Sequence, residues 1–186
     1  VAFLDAAVEA SRALAASLSG TVAHVPRFIE ADLRDIARLR SAVAEAVEAV
    51  GDITVLVNNA ARDDRHEFDA VEPDYWDENQ AVNLRHHFFA AQAVAPSMRR
   101  AGGGAIVNFA SIAYLLNMGE LPSYTTAKAG IVGLTKSLAG RLGPENIRVN
   151  ALLPGMVLTE RQRRLWIDDA ALEAGVGRQC LKRPLG

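Results

Sequence analysis

Apolar residues along the chain fall into two kinds of run. Short unbroken stretches at residues 1–5, 24–29, 53–57, 105–109 and 147–153 read as buried strands. Longer stretches repeat apolar positions at helical spacing, most clearly Ile36, Leu39, Val43, Val47 and Val50. This spacing and the residue propensities predict helices over 9–17, 36–50, 73–100, 123–142 and 159–174. Gly20, Gly51-Asp52, Gly102-Gly103-Gly104, Gly143-Pro144 and Pro154-Gly155 punctuate the series, and Pro96 lies near the end of the third helix. Strands and helices alternate throughout. The strands are continuously apolar rather than alternating, the mark of a parallel sheet covered on both faces. The expected fold is therefore α/β, a doubly wound, Rossmann-like parallel sheet forming a single domain over 1–186. No internal repeat, low-complexity stretch or linker divides it.

Composition narrows the function more than the fold. Half of the 186 residues are hydrophobic and 23% are charged, which excludes a disordered chain. Twenty Lys and Arg against 22 Asp and Glu leave a net charge of −2, so no nucleic-acid partner is expected. No apolar run approaches the roughly 18 residues of a membrane span, and no charged segment leads into an apolar one as in a signal peptide. A lone cysteine, Cys180, permits no intrachain disulfide and reads as a buried or inert thiol. The protein is expected in the cytoplasm.

In parallel sheets of this kind ligands bind beyond the carboxyl ends of the strands. The residues that follow those ends are Asp5, Asp32, Asn58-Asn59-Ala60-Ala61, Ser111, and Pro154-Gly155 running on to Thr159. Tyr124 and Lys128 are four residues apart on a predicted helix, which places both on one face. A free tyrosine has a pKa of about 10, too high for a base at neutral pH, and a neighbouring ammonium favours its phenolate. His66, His86 and His87 lack carboxylates at ligand spacing, so no metal is expected. The charged run Arg62-Asp63-Asp64-Arg65-His66 reads as a local salt network or a subunit contact rather than a substrate contact.

Asn58-Asn59-Ala60, Asn83 in Ala-Val-Asn-Leu, Ser111, the Tyr124/Lys128 pair and Pro154-Gly155 occur in an order that resembles the short-chain dehydrogenase/reductase family over nearly the whole chain. The resemblance implies catalytic roles. Tyr124 matches the acid/base, and Lys128 matches the lysine that lowers the tyrosine pKa and holds the nicotinamide ribose. Ser111 matches the serine that hydrogen-bonds the substrate oxygen, and Asn83 the asparagine of a water-linked proton path. It also implies cofactor contacts. Asp5 would hold the adenosine ribose, with a helix N-cap as its alternative reading. Asp32 and Leu33 would lie beside adenine, Asn59 and Ala60 under the cofactor, and Pro154, Gly155, Val157 and Thr159 at the nicotinamide end. A carboxylate at position 5 favours NAD over NADP.

Two features depart from the family pattern. The first strand with its glycine-rich turn and the last helix and strand are not found, so the residues are expected to be part of a longer protein. In the order 3-2-1-4-5-6 the first strand is central, so a gap is expected in mid-sheet, and a chain with these ends should not fold stably alone.

The segments 58–66, 75–77, 82–86, 159–162 and 179–181 resemble the bacterial aldose 1-dehydrogenase branch, whose members oxidise the anomeric carbon to a lactone with NAD. Asn117 and Glu120 would then meet the sugar, as would Arg161 and Gln162 in a lid over 156–186 where Trp166 also lies. Alternative readings are a 3-oxoacyl thioester reductase, or another ketone or alcohol enzyme of the family. A non-catalytic binding or assembly protein is a third. The resemblance also implies a homo-oligomer, a dimer or tetramer formed through the helices near 73–100 and 123–142.

Overall fold

The computed structural model describes residues 1–185. The chain forms two compact units, 1–152 and 153–186. In the first unit the elements run β1 (Ala2–Asp5), α1 (Val8–Ser17), β2 (Arg27–Glu30), α2 (Ile36–Val50), β3 (Val55–Asn58), α3 (Pro73–Gln80), α4 (His86–Arg100), β4 (Gly104–Phe109), α5 (Pro122–Leu142) and β5 (Ile147–Leu152). The second unit holds α6 (Glu160–Leu165) and α7 (Asp169–Arg178).

Every strand pair is parallel, as the unbroken apolar runs predict, but the strands form two sheets. One is β1-β2; the other is β3-β4-β5. A cavity of about 740 Å³ lies between β1 and β3, lined along both strands by residues that include Phe3, Leu4, Leu56 and Val57. The expected interruption of the sheet therefore falls between β1 and β3. Val55 and Val57 remain 59% and 54% exposed there, in contrast to Ile106 of the central strand β4, which is fully covered.

Helix α2 joins the two sheets by using two faces. Ala42 and Ala46 are small enough to lie close against Ile29 of β2, and Leu39 and Val43 pack with Ala91, Val94 and Met98 of α4 over Ile106, Ile147 and Val149. Burying a Leu, Val or Ile contributes roughly 1.5–3 kcal/mol each, so this shared cluster is the main apolar anchor of the unit. Gly104 permits one close approach: a Cβ there would stand 2.6 Å from the Met98 side chain.

Four boundaries differ from the sequence reading. Strand β2 begins at Arg27 rather than residue 24, because Pro26 has no N–H and ladder pairing starts with Arg27 N–H to Val1 O. Strand β3 begins at Val55 because the Ile53 N–H is taken by Ser97 Oγ at 2.7 Å. The long helix predicted over 73–100 is interrupted by a π-turn at Ala81–Arg85. The last predicted helix is two helices, because Asp168 caps a new start by accepting from Ala171 N–H at 2.8 Å. Cys180 is exposed, not buried. Among the described residues no helix is long and apolar enough to cross a membrane.

Candidate active site

Parallel strands put their carboxyl ends on one side, and there the polar residues gather. At β3 and β4 they are locked from within. Asn58 and Asn108 stand opposite each other in register; Asn58 Nδ2 donates to Asn108 Oδ1 at 2.9 Å, and Asn108 Nδ2 donates to Thr135 Oγ1 of α5 at 3.0 Å. All three side chains are buried. This chain ties β3, β4 and α5 together, and sequence reading missed Asn108 and Thr135. Their only signal is an amide inside an apolar strand and a hydroxyl inside a helix.

Helix α5 starts at Pro122, suited to a first turn whose N–H groups lack helical partners. Lys128 is buried, and its Nζ donates to Phe109 O at the end of β4 at 2.8 Å. Nζ also lies 5.5 Å from the Tyr124 ring centre, so the two side chains share one helix face as their spacing predicts. Burial pushes the Lys128 pKa down to about 8, opposed by the carboxylate of Asp63.

Ser111 follows β4. Its Oγ accepts from Ala113 N–H at 3.1 Å, and its hydroxyl hydrogen-bonds Tyr124. The Tyr124 pKa lies above its ordinary value, contrary to the expectation that Lys128 lowers it. Burial of the phenol is the largest influence; the Ser111 bond opposes it, and the charges of Asp63 and Arg65 act in opposite senses. Lys128 meets the ring and the Phe109 carbonyl.

Asn83 occupies the π-turn between α3 and α4. Its Oδ1 accepts from Arg62 N–H at 2.8 Å, and its Nδ2 donates to Arg62 O at 3.0 Å and to Asn79 Oδ1 at 3.1 Å. Here Asn83 clamps the segment after β3. Gly130 allows α5 to come close to the turn, since a Cβ there would stand 3.0 Å from Leu84. The next two residues after the turn, His86 and His87, are buried, with ring centres 4.2 Å apart and planes tilted by 42°. His86 Nε2–H donates to Ala60 O at 3.1 Å. Burial pushes the His86 pKa down to about 4 and that of His87 lower still.

The other sheet carries the second polar group. One oxygen of Asp5 accepts from Ala7 N–H at 2.7 Å; the cap position of α1 is Ala7, so Asp5 makes a turn rather than an N-cap. Asp32 is forked by Arg34, which also bonds Glu78 of α3 at 2.6 Å. The guanidinium holds the Asp32 carboxyl below its usual range. Asp35 caps α2, accepting from Arg38 N–H at 3.0 Å. Leu33 packs against the apolar clusters from the same loop. Glu78 receives Arg62 as well, at 3.1 Å, so the charged run at 62–66 does form a salt network as the sequence suggested.

Asn59 and Ala60 are exposed at the end of β3. Asn117 and Glu120 are exposed in the loop between Ser111 and Tyr124, with Glu120 O accepting from His66 N–H at 3.1 Å. Pro154, Gly155, Val157, Thr159, Arg161 and Gln162 belong to the second unit. Within it Val157 bridges Leu185, and Thr159 caps α6 by accepting from Gln162 N–H at 3.2 Å.

A dinucleotide could be held by the carboxylate at the end of β1 and by buried Lys128, which stands with half-buried Tyr124 and Ser111 at the end of β4. Residues 1–170 match the family described as short chain dehydrogenase. A protein of Rhizobium meliloti named "Probable galactose dehydrogenase GalD" is 60% identical over 100% of this chain and 72% of its own length. The D-xylose 1-dehydrogenase of Caulobacter vibrioides is 47% identical over 98% of this chain and 71% of its own. A gluconate 5-dehydrogenase of Burkholderia cenocepacia, solved with NADP and tartrate, superposes with a TM-score of 0.85 at 32% identity, covering 96% of this chain and 69% of its own. The chain belongs to the short-chain dehydrogenase family and is an NAD(P)-dependent oxidoreductase acting on CH–OH groups.

Proposed function

We propose that the protein oxidises an aldose at C1 to the sugar lactone, with NAD as the acceptor. The observation that carries the reading is the convergence of Ser111, Tyr124 and Lys128 at the carboxyl end of β4, in a chain 47–60% identical to proteins named for galactose and D-xylose oxidation. When bound, the nicotinamide accepts the hydride from C1.

Tyr124 takes the anomeric hydroxyl proton, while Ser111 donates its one hydroxyl hydrogen to the same sugar oxygen. Ionising a phenol of pKa about 10 at pH 7 costs about 4 kcal/mol. That cost is larger here, because burial holds the Tyr124 pKa above 10. Oxidation is thus favoured by alkaline conditions. Lys128, anchored on Phe109 O, ties the helix that carries Tyr124 to the end of β4 and holds the nicotinamide ribose. Asn83 keeps the segment after β3 against the site, and a water-linked proton path through it remains part of the proposal.

NAD is favoured over NADP by Asp5. One of its oxygens is committed to Ala7 N–H; the other is left for the ribose hydroxyls. Ala6 and Ala7 follow it, so the strand end offers no cation for a 2′-phosphate. Arg34 is neutralised by Asp32 and Glu78. Asp32 and Leu33 take the adenine, and Asn59 and Ala60 the cofactor floor. The active form is a homo-oligomer through α4 and α5, where Phe88 is 42% exposed.

The test follows NADH formation by the intact protein with NAD and a panel of aldoses. Rapid formation with one pentose or hexose supports the reading. No aldose oxidation, with NADPH consumed on a 3-oxoacyl thioester instead, overturns it.

A further inference from the structure

The segment between β3 and α3 has no regular structure near its start, yet it is fastened on both sides of the catalytic groups. Arg62 is held by the Asn83 amide through its N–H and its carbonyl, at 2.8 and 3.0 Å. Four residues on, His66 N–H donates to Glu120 O at 3.1 Å, and its Nδ1 bonds the Tyr75 hydroxyl at 2.9 Å. Asn83 belongs to the π-turn, and Glu120 to the loop that joins Ser111 to Tyr124. Asp63, Asp64 and Arg65 are therefore strung between two walls of the catalytic site.

The three side chains divide. Asp64 pairs with Arg62 at 2.6 Å, toward Glu78 and the salt network. Asp63 pairs instead with Arg65 at 3.1 Å, with only 20% and 24% of these two side chains exposed. The charges of both reach the Tyr124 hydroxyl, and that of Asp63 reaches Lys128. This half-buried carboxylate–guanidinium pair is beside the reacting groups, and neither the proton transfer nor the cofactor contacts use it.

We propose that the Asp63–Arg65 pair recognises the substrate's vicinal hydroxyls. The Asp63 carboxylate accepts a hydrogen bond from the hydroxyl next to C1, and Arg65 holds Asp63 while donating to a neighbouring sugar oxygen. The assignment rests on the aldose reading and names the element that selects a polyol. An aldose presents a hydroxyl donor beside its reacting carbon; a simple ketone or acyl thioester presents none. A hydrogen bond to a charged group is stronger than one between neutral groups, so a substrate without that hydroxyl forfeits a charge-assisted bond.

The experiment compares the intact wild-type protein with Asp63→Asn and Asp63→Glu, on the preferred aldose and on its 2-deoxy analogue. Melting temperature and NADH binding by fluorescence are recorded for each. The wild type should lose about 10- to 100-fold in kcat/KM on the 2-deoxy sugar, a range set by a charge-assisted hydrogen bond. Asp63→Asn should lose a similar factor on the parent sugar and then discriminate little between the two. A purely structural role, or an effect on Tyr124 alone, lowers both sugars by one factor and leaves their ratio unchanged; that result overturns the assignment. If Asp63→Asn does not fold, the same ratio read on Asp63→Glu decides, since a displaced carboxylate should also lose the discrimination. A wild type that binds NADH but oxidises no aldose overturns the functional reading and this assignment with it, whereas an active wild type with an unchanged variant ratio overturns the assignment alone.

Discussion

The two sheets of the first unit hold their polar residues in opposite ways. At β3-β4-β5 the functional end is locked from inside: Asn58, Asn108 and Thr135 form a buried chain, Lys128 is buried on Phe109 O, and Asn83 grips the Arg62 backbone. At β1-β2 the corresponding residues sit at the surface. Asp5 is exposed, and Asp32 is held by Arg34 in an exposed ion pair whose side chains are 48% and 41% accessible. Proton transfer depends on atoms held within hydrogen-bond reach of one another, so its groups gain from rigid internal anchors. Holding an adenosine tolerates more freedom, and exposed ion pairs in high dielectric contribute little rigidity.

This contrast can be broken at several points. The largest effect is expected at Tyr124. Tyr124→Phe removes only the hydroxyl and should lower kcat by about 10²- to 10⁴-fold, the range of a general acid/base. NADH binding should stay near wild type. Steady-state kinetics with a fluorescence titration check both; a variant retaining more than about a tenth of the activity would remove Tyr124 from the chemistry.

Acid should destabilise the internally locked sheet next. His86 and His87 are neutral when folded, with His86 near 4 and His87 lower. In the unfolded chain both take a proton near pH 6.5. Stability is therefore complete above about pH 6.5 and is lost as pH falls toward 4, by roughly 3 kcal/mol for His86 alone. Denaturant melts from pH 7 to 4 should show the slope, and His86→Gln with His87→Leu should flatten it. An equal slope in that double variant would place the proton uptake elsewhere.

Asn108→Leu comes third. It strands the Asn58 amide and the Thr135 hydroxyl, and leaving two buried polar groups unpaired should cost about 2–4 kcal/mol. Urea melts measure it, and a loss under about 0.5 kcal/mol would mean the chain carries no structural load.

The smallest effect belongs to the surface network. Arg34→Ala should leave the melting temperature unchanged within error and move KM for NAD by less than about threefold, as exposed ion pairs usually do. A large change in either would erase the contrast between the two ends.

Sequence and structure divide the information along the same physical line. Features set by near neighbours were legible: the helix spanning Tyr124 and Lys128, the parallel character of the strands, and the turn residues between elements. The serine after β4 and the acid after β1 were legible because a strand end is a local event. The π-turn at Asn83 was not, because it depends on Arg62, 21 residues away, supplying partners for the amide. Nor was the role of Asp63 and Arg65. Their sequence is that of a solvated charge run, and only the clamps at Arg62 and His66 bring them to Tyr124. Lys128 shows the division within one residue. Its spacing from Tyr124 is fixed by the helical repeat. Burial sets its pKa near 8, a distant strand supplies Phe109 O as its anchor, and burial of the phenol itself leaves the Tyr124 pKa raised rather than lowered. Periodicity and propensity act over a few residues; dielectric burial and hydrogen-bond partners are properties of the packed whole.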